Sequence, residues 1–285
     1  MGGRGRYVGG VVALILTTLL WGSSFPAIKV VVEDVGEVTY TWLRGAVSLA
    51  LLAPYIVYRL AIGGLSLRDV KGGIVAGVFY SLGLWLQGWG TGLTTASNSA
   101  FLTALHMLWV HAYVASTSGR YTARLALPLF AALMGVVLLT RPHASFNVGD
   151  VLVVASSFMW AAQVIVVDRY SRSDPLVFTA AQLAISTLFI IPDLADDGLD
   201  IPKPATMLLI VYLAAGPGVT AFALQVWGQR YVNPAAATII YQLEPVFAAA
   251  FSRLLLDERL TASQSLGAAL IIAAVLLSEK GKMGR

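Results

Sequence analysis

Leu86-Gln87-Gly88-Trp89-Gly90 and Leu224-Gln225-Val226-Trp227-Gly228 are one phrase written twice, 138 positions apart in a chain of 285 residues. Each copy closes a long apolar run, where glutamine and tryptophan seldom stand together. Other landmarks keep the interval. Trp21 and Trp160 lie 139 apart, Pro54 and Pro192 138 apart, and Gly135-Val136-Val137-Leu138-Leu139 precedes Ala274-Val275-Leu276-Leu277 by 139. Self-similarity of this kind settles architecture before local detail. It predicts a duplicated unit of about 140 residues, with halves at 1–145 and 146–285 forming one structural body.

Composition sets the solvent. Hydrophobic residues make up 58% of the chain and charged residues 12%, and the mean hydropathy is +0.77. A soluble domain carries about 25% charged residues, so this chain has half the charge needed to cover a water-facing surface. A membrane protein surrounded by lipid is expected. The absence of cysteine excludes disulfides and thiolate chemistry. A net charge of +4 invites a nucleic-acid reading, but the basic residues are scattered through short loops, so no nucleic-acid partner is expected. Val8 to Val31 is too long for the apolar core of a signal peptide and reads as a retained first helix.

A helix needs about 20 apolar residues to cross the hydrocarbon core. Ten runs meet that length, near 8–31, 38–59, 70–92, 95–116 and 122–140, then 149–168, 175–192, 205–227, 233–256 and 262–279. The predicted fold is therefore all-α, with ten transmembrane helices as two five-helix repeats. Orientation follows the Lys/Arg bias of short loops. With the N-terminus inside, thirteen basic residues face the cytoplasm, among them Arg4, Arg6, Arg59, Arg120, Arg230, Lys282 and Arg285. Five face outward: Lys29, Arg141, Lys203, Arg253 and Arg259. Glu33, Asp34, Glu37, Asp193, Asp196, Asp197 and Asp200 all fall outside. Both termini are expected in the cytoplasm and the protein in the plasma membrane. Five helices per repeat is an odd number, so the second copy must enter the bilayer from the opposite side. Inverted repeats are how many secondary transporters are built, with the solute site near mid-membrane where the repeats meet.

Several stretches resemble a known family. Trp21-Gly22-Ser23-Ser24-Phe25-Pro26-Ala27-Ile28-Lys29 resembles the WGSxF…K opening of EamA-type proteins of the drug/metabolite transporter superfamily, and Leu43-Arg44 its second-helix signature. Tyr241-Gln242-Leu243-Glu244-Pro245-Val246-Phe247-Ala248, followed by Asp257-Glu258-Arg259-Leu260-Thr261, is similar to its EPvfa…gErlt ending. The resemblance implies ten helices in two inverted repeats and a cavity lined by helices 1, 3, 4 and 6, 8, 9. It also implies outward movement of small metabolites, typically amino acids or related compounds. In the first half the Glu-Pro position falls on Leu105-His106 and the Glu-Arg position on Gly119-Arg120, so the acidic member is single.

The candidate solute-binding residues follow. Glu244 sits near the middle of the ninth run, where a carboxylate costs several kcal/mol unless paired or protonated and is a functional hypothesis by default. It either protonates or binds a solute amine, or makes a structural hydrogen bond at the helix kink that Pro245 loosens. His106 is its repeat-related counterpart, read as a hydrogen-bonded interhelical histidine or a group titrating in the cavity. His111 lies on another face, so the two make no metal site. Gln87, Gln225, Gln163 and Asn98 offer amides, and Trp21, Trp160, Tyr80 and Tyr241 offer aromatic walls, a set suited to an amphipathic solute. Trp89 and Trp227 read as an interfacial belt. Lys29 is expected to snorkel toward Glu33 and Arg44 to pair with an outer acid.

Two rival functions share the composition. The tract Asp193 to Asp200 contains a DDxxD string, a feature of prenyl-transferring enzymes, but no second acidic motif shares a metal with it. A passive channel is the other rival. No GxSxG, HExxH or GxxxxGK string occurs. Neither an enzyme nor a cofactor is expected. Helices 5 and 10, poor in polar residues, are candidate faces for a homodimer.

Overall fold

The computed structural model describes residues 3–117, 123–140, 147–195, 202–256 and 261–280, and among these it is helical throughout, with no strand. In chain order the helices are α1 (Gly3–Gly22), α2 (Phe25–Ala61), α3 (Leu67–Leu93), α4 (Ala96–Ala104), α5 (His106–Thr117), α6 (Ala126–Thr140) and α7 (Val148–Tyr170). There follow α8 (Pro175–Ser186), α9 (Ile190–Ala195), α10 (Pro204–Leu213), α11 (Ala221–Gln229), α12 (Pro234–Tyr241), α13 (Leu243–Leu256) and α14 (Ala262–Lys280). Helical residues lie over each of the ten expected apolar runs. Five stretches are long and apolar enough to cross a membrane: Gly3–Gly22, Phe25–Ala61, Val148–Tyr170, Pro175–Ala195 and Pro204–Gln229.

The other runs differ from the expected unbroken helices for local reasons. The first run breaks at Ser23-Ser24, then continues into α2 as far as Gly36, whose φ of 72° lets the chain bend where residues with a side chain rarely go. The fourth run breaks at Leu105 and the ninth at Gln242. Between α10 and α11, residues 214–220 wind as a π-helix around Pro217, which cannot donate to the helical ladder.

Helix starts are written in the sequence. Asp174 and Asn233 each precede a proline at the first helical position, and their side chains accept from Leu176 and Val177 amides at 3.0 and 3.1 Å and from the Ala236 amide at 2.9 Å. Asn147 and Asp150 close a reciprocal capping box on α7. Each cap satisfies donors that the first helical turn leaves without partners.

The packing pairs off across the halves. α3 lies along α7 and α8, while α11 lies along α1 and α10 along α2. α4 and α5 pack on α7, as α12 and α13 pack on α1, and α6 packs on α14. α6 and α14 meet at Gly135 and Gly267, where a Cβ on either would lie 2.7 or 2.6 Å from the other's carbonyl oxygen. The outward faces carry bare apolar side chains, among them Leu127, Phe130, Leu208 and Leu276, as a surface bathed in lipid requires.

The acidic string is only partly described. Asp193 accepts from the Thr39 hydroxyl and the Trp42 indole, both at 2.6 Å, and so fastens α9 to α2. Asp196, Asp197 and Asp200 lie outside the described residues, as do Arg120, Arg141, Lys282, Arg285, the Asp257 to Leu260 segment and the boundary between 145 and 146.

Candidate functional site

A cavity lies where the two halves meet. Its lining comes from Trp21 in α1, Ser24 at the α1–α2 break, Phe25, Ile28 and Arg44 in α2, Leu84 and Gln87 in α3, and Thr103 and His106 flanking the break at Leu105. The second half supplies Trp160, Gln163 and Val164 from α7, Phe222 from α11 and Glu244 from α13. The free space open to the centres of water-sized molecules is about 50 Å³. That holds a few waters.

Six of the ten expected residues line this space: Trp21, Gln87, His106, Trp160, Gln163 and Glu244. Three more stand directly behind them. Tyr80 is buried with its ring 5.8 Å from that of Trp160 and 4.9 Å from Phe222. Tyr241 lies 5.3 Å from Trp21 and 6.2 Å from His106, and its hydroxyl donates to Gln229 at 3.2 Å. Gln225 and Gln163 exchange two amide hydrogen bonds of 3.0 Å, and Gln163 also donates to Gln182 at 3.0 Å. Asn98 is elsewhere. Its amide donates to Thr94 and Asp150 at the entry to α7, away from the cavity lining.

The aromatic wall is a cluster rather than separate rings. Phe222 is its hub, 5.2 Å from Trp21 and 6.2 Å from Trp160 as well as touching Tyr80. The Trp21 indole donates to the Pro217 carbonyl at 3.2 Å, which ties the wall to the π-helical turn. The Trp160 indole N–H is buried without a partner among the described residues. Polar groups are set between the rings. The Gln87 amide donates to the Thr103 hydroxyl at 2.9 Å, and the His106 Nδ1 stands 2.8 Å from the Thr103 carbonyl. That bond lies within its own expected span, so His106 is not the interhelical tie; His111 is, 2.9 Å from the Ala235 carbonyl.

Two ionisable side chains, one acidic and one basic, face the cavity. Glu244 lies in the first turn of α13, where the free N–H groups of a helix start favour negative charge. Its carboxylate accepts no hydrogen bond from the described residues, so none of these supplies the structural bond that was one of its two expected roles. Arg44 departs from expectation more sharply. It is 3% exposed and meets no acid among the described residues; its Nη1 donates to the Tyr40 hydroxyl at 2.6 Å and its guanidinium sits 5.8 Å from the Tyr40 ring centre. Two of the outer acids are engaged elsewhere, Asp34 by Lys203 and Thr206 and Asp193 by Thr39 and Trp42. A hydroxyl bond and a cation–π contact contribute about 1–3 kcal/mol together, against a desolvation cost of several kcal/mol for a buried ion. Arg44 and Glu244 do not come within ion-pair distance of each other. Lys29 behaves as expected, 3.9 Å from Glu33. Trp89 and Trp227 do not line the cavity.

Sequence reasoning missed Arg44, Phe222, Thr103 and Ser24 as lining residues. The repeat interval could have found two of them: Ser24 lies 139 before Gln163, and Thr103 lies 138 before Tyr241.

Comparison with known proteins agrees with this architecture. Residues 147–279 match the model of the EamA-like transporter family. An uncharacterized transporter of Archaeoglobus fulgidus is 28% identical over 93% of this chain and 83% of its own length. A probable amino-acid metabolite efflux pump of Escherichia coli is 27% identical over 95% of both chains. A solved crystal structure, 18% identical, superposes with a TM-score of 0.76 over 96% of this chain and 98% of its own; at that identity the likeness speaks for the fold alone. These names point to transport rather than to catalysis. With the apolar exterior, the helical bundle and the cavity between the halves, the chain is a membrane protein whose second half, residues 147–279, is similar to the EamA-like transporter family.

Proposed function

We propose that this protein moves small amphipathic metabolites outward across the plasma membrane by alternating access. The bundle spans the bilayer ten times, with residues 1–145 and 146–285 threaded in opposite senses and both termini in the cytoplasm. The solute occupies the cavity between Trp21, Trp160 and Phe222, with Gln87, His106, Gln163 and Glu244 meeting its polar ends. Tyr80, Tyr241 and Gln225 hold those groups in place from behind. The relative named as an amino-acid metabolite efflux pump supports amino acids or related compounds as the solutes.

One observation carries the proposal. Glu244 and His106 stand 138 positions apart, each just after a break in its helix, and both line a cavity built from the two halves. Interrupted helices with polar residues at a repeat interface are how secondary transporters form a site at mid-membrane. The paired packing of α3 on α7 and α11 on α1 supports the inverted arrangement. So does the thirteen-to-five loop bias of Lys and Arg.

The test is a metabolite panel in proteoliposomes. At least one small metabolite is expected to move, and to move faster when the opposite compartment holds the same compound, as a carrier requires and a channel does not. No movement of any compound, or movement without countertransport, overturns alternating access. Tags beside Gly63 and Lys203 are expected on opposite faces of the membrane; finding both on one face overturns the inverted halves.

A further inference from the structure

We propose that Arg44 is the anion-recognising group of the cavity, so that the solute carries a carboxylate; the assignment rests on the transport reading above. Arg44 lines the cavity, is 3% exposed, and is surrounded by neutral partners. Of the five N–H donors of a guanidinium, Nη1 is used on the Tyr40 hydroxyl, and Nε is buried with no partner among the described residues. No Asp or Glu of the described residues reaches ion-pair distance. Three of the outer acids are committed elsewhere: Asp34 to Lys203, Asp193 to Thr39 and Trp42, Glu33 to Lys29.

A buried cation with spare donors on the wall of a solute cavity is matched by an anion that arrives and leaves. A planar guanidinium matches a carboxylate with two parallel hydrogen bonds. The aromatic cluster of Trp21, Trp160 and Phe222 takes the apolar part of the same molecule. Glu244 faces the same space without touching Arg44, which leaves room for a solute with an ammonium group as well. The carboxylate is the required element and the ammonium an optional one.

The experiment pairs each organic acid with its primary amide in the proteoliposome assay: phenylalanine with phenylalaninamide, leucine with leucinamide, 3-phenylpropionate with 3-phenylpropionamide. In wild type the acid of any pair that moves is expected to exceed its amide by tenfold or more. Arg44→Gln is expected to bring that ratio below threefold, and Arg44→Lys to keep the preference at a reduced rate. Melting temperature of each variant separates folding from selectivity. A purely structural Arg44 would lower the melting temperature and leave the acid-to-amide ratio unchanged, which overturns the assignment. Amides moving as fast as acids in wild type also overturns it while leaving the transport reading intact. Absence of movement for every compound, acid or amide, overturns the reading on which it rests.

Discussion

Gly90 and Gly149 touch backbone to backbone: a Cβ on Gly90 would lie 2.6 Å from the Gly149 carbonyl oxygen, and one on Gly149 2.8 Å from that of Gly90. The contact recurs between Gly228 and Gly10, where a Cβ on either would lie 3.0 Å from the other's carbonyl oxygen. Gly90 and Gly228 are the last letters of the two LQxWG phrases, and Gly10 and Gly149 stand 139 apart. The phrase thus ends in glycine because α3 and α11 each cross a helix of the other half there at close range.

Substituting these glycines separates backbone clashes from side-chain ones. Alanine at Gly90 meets the Gly149 carbonyl, which cannot move without shifting α7. Alanine at Gly228 meets the Leu14 side chain first, at 2.6 and 2.8 Å, and backbone only at 3.0 Å, the Gly10 carbonyl. Alanine at Gly92 meets nothing nearer than Val32 at 3.4 Å and gains helix propensity. Gly90→Ala is expected to cost about 1–3 kcal/mol, Gly228→Ala less, and Gly92→Ala nothing. Thermal melting in detergent checks the order. A Gly90→Ala protein as stable as Gly92→Ala would show that α3 and α7 do not approach so closely.

Asp174 provides a pH test outside the spans. Burial pushes its carboxyl up, but the Val177 amide, the Tyr55 hydroxyl at 2.8 Å, the Arg59 guanidinium and the Leu176 amide outweigh that and hold it below the ordinary value. A carboxylate depressed on folding stabilises fully above its unfolded value, near 4, and loses that contribution as pH falls toward its folded value. Asn in its place keeps the helix cap but not the charge. The melting-temperature gap between wild type and Asp174→Asn is expected to stay constant from pH 7 to about 5 and to close below about 4. A gap that persists unchanged to pH 2 would mean that the charge on Asp174 contributes nothing.

How much of the site was legible depended on the repeat. Trp21 and Trp160, His106 and Glu244, and Gln163 were found from polar or aromatic residues in apolar runs, and all line the cavity. Applied to every candidate, the same interval leads from Gln163 to Ser24 and from Tyr241 to Thr103. Arg44 was hidden for a different reason. The bend at Gly36 and the π-helical turn at Pro217 determine what α2 faces, and neither announces itself as periodicity. The nearby acidic loop residues looked like its partners, although they engage Lys203, Thr39 and Trp42. Its repeat mate, Gln182, is buried in the Gln163–Gln225 amide cluster, a clue that position 44 points inward.

Asn98 and Asp150 separate stability from transport. Asp150 is 1% exposed and accepts from the Thr94 hydroxyl at 2.8 Å, the Asn98 amide and the Asn147 backbone amide at 2.9 Å. Removing it takes the acceptor from the buried Thr94 hydroxyl and one of the two acceptors of the Asn98 amide, and opens the cap at Asn147, so Asp150→Ala is expected to cost about 3 kcal/mol and Asn98→Ala about 1 kcal/mol. Flux per folded Asn98→Ala protein is expected to match wild type, because Asn98 is not part of the cavity lining. Flux lost from a fully folded Asn98→Ala protein would return this residue to the solute path.

Glu244→Gln tests the acid at the cavity directly. The amide keeps the shape and removes the charge, and since the carboxylate accepts no bond from the described residues, its loss leaves no donor stranded. Melting temperature is therefore expected to hold or rise, because a carboxylate held within the membrane is costly to keep ionised. Flux is expected to fall tenfold or more if Glu244 takes a proton or meets the solute's ammonium. The two measurements discriminate between roles: lost flux with retained stability places Glu244 in the transport cycle, whereas lost stability with retained flux makes it a brace for α13 where that helix passes Gly22, whose Cβ position lies 2.6 Å from the Glu244 carbonyl oxygen. Wild-type flux in a stable Glu244→Gln protein removes the carboxylate from the mechanism.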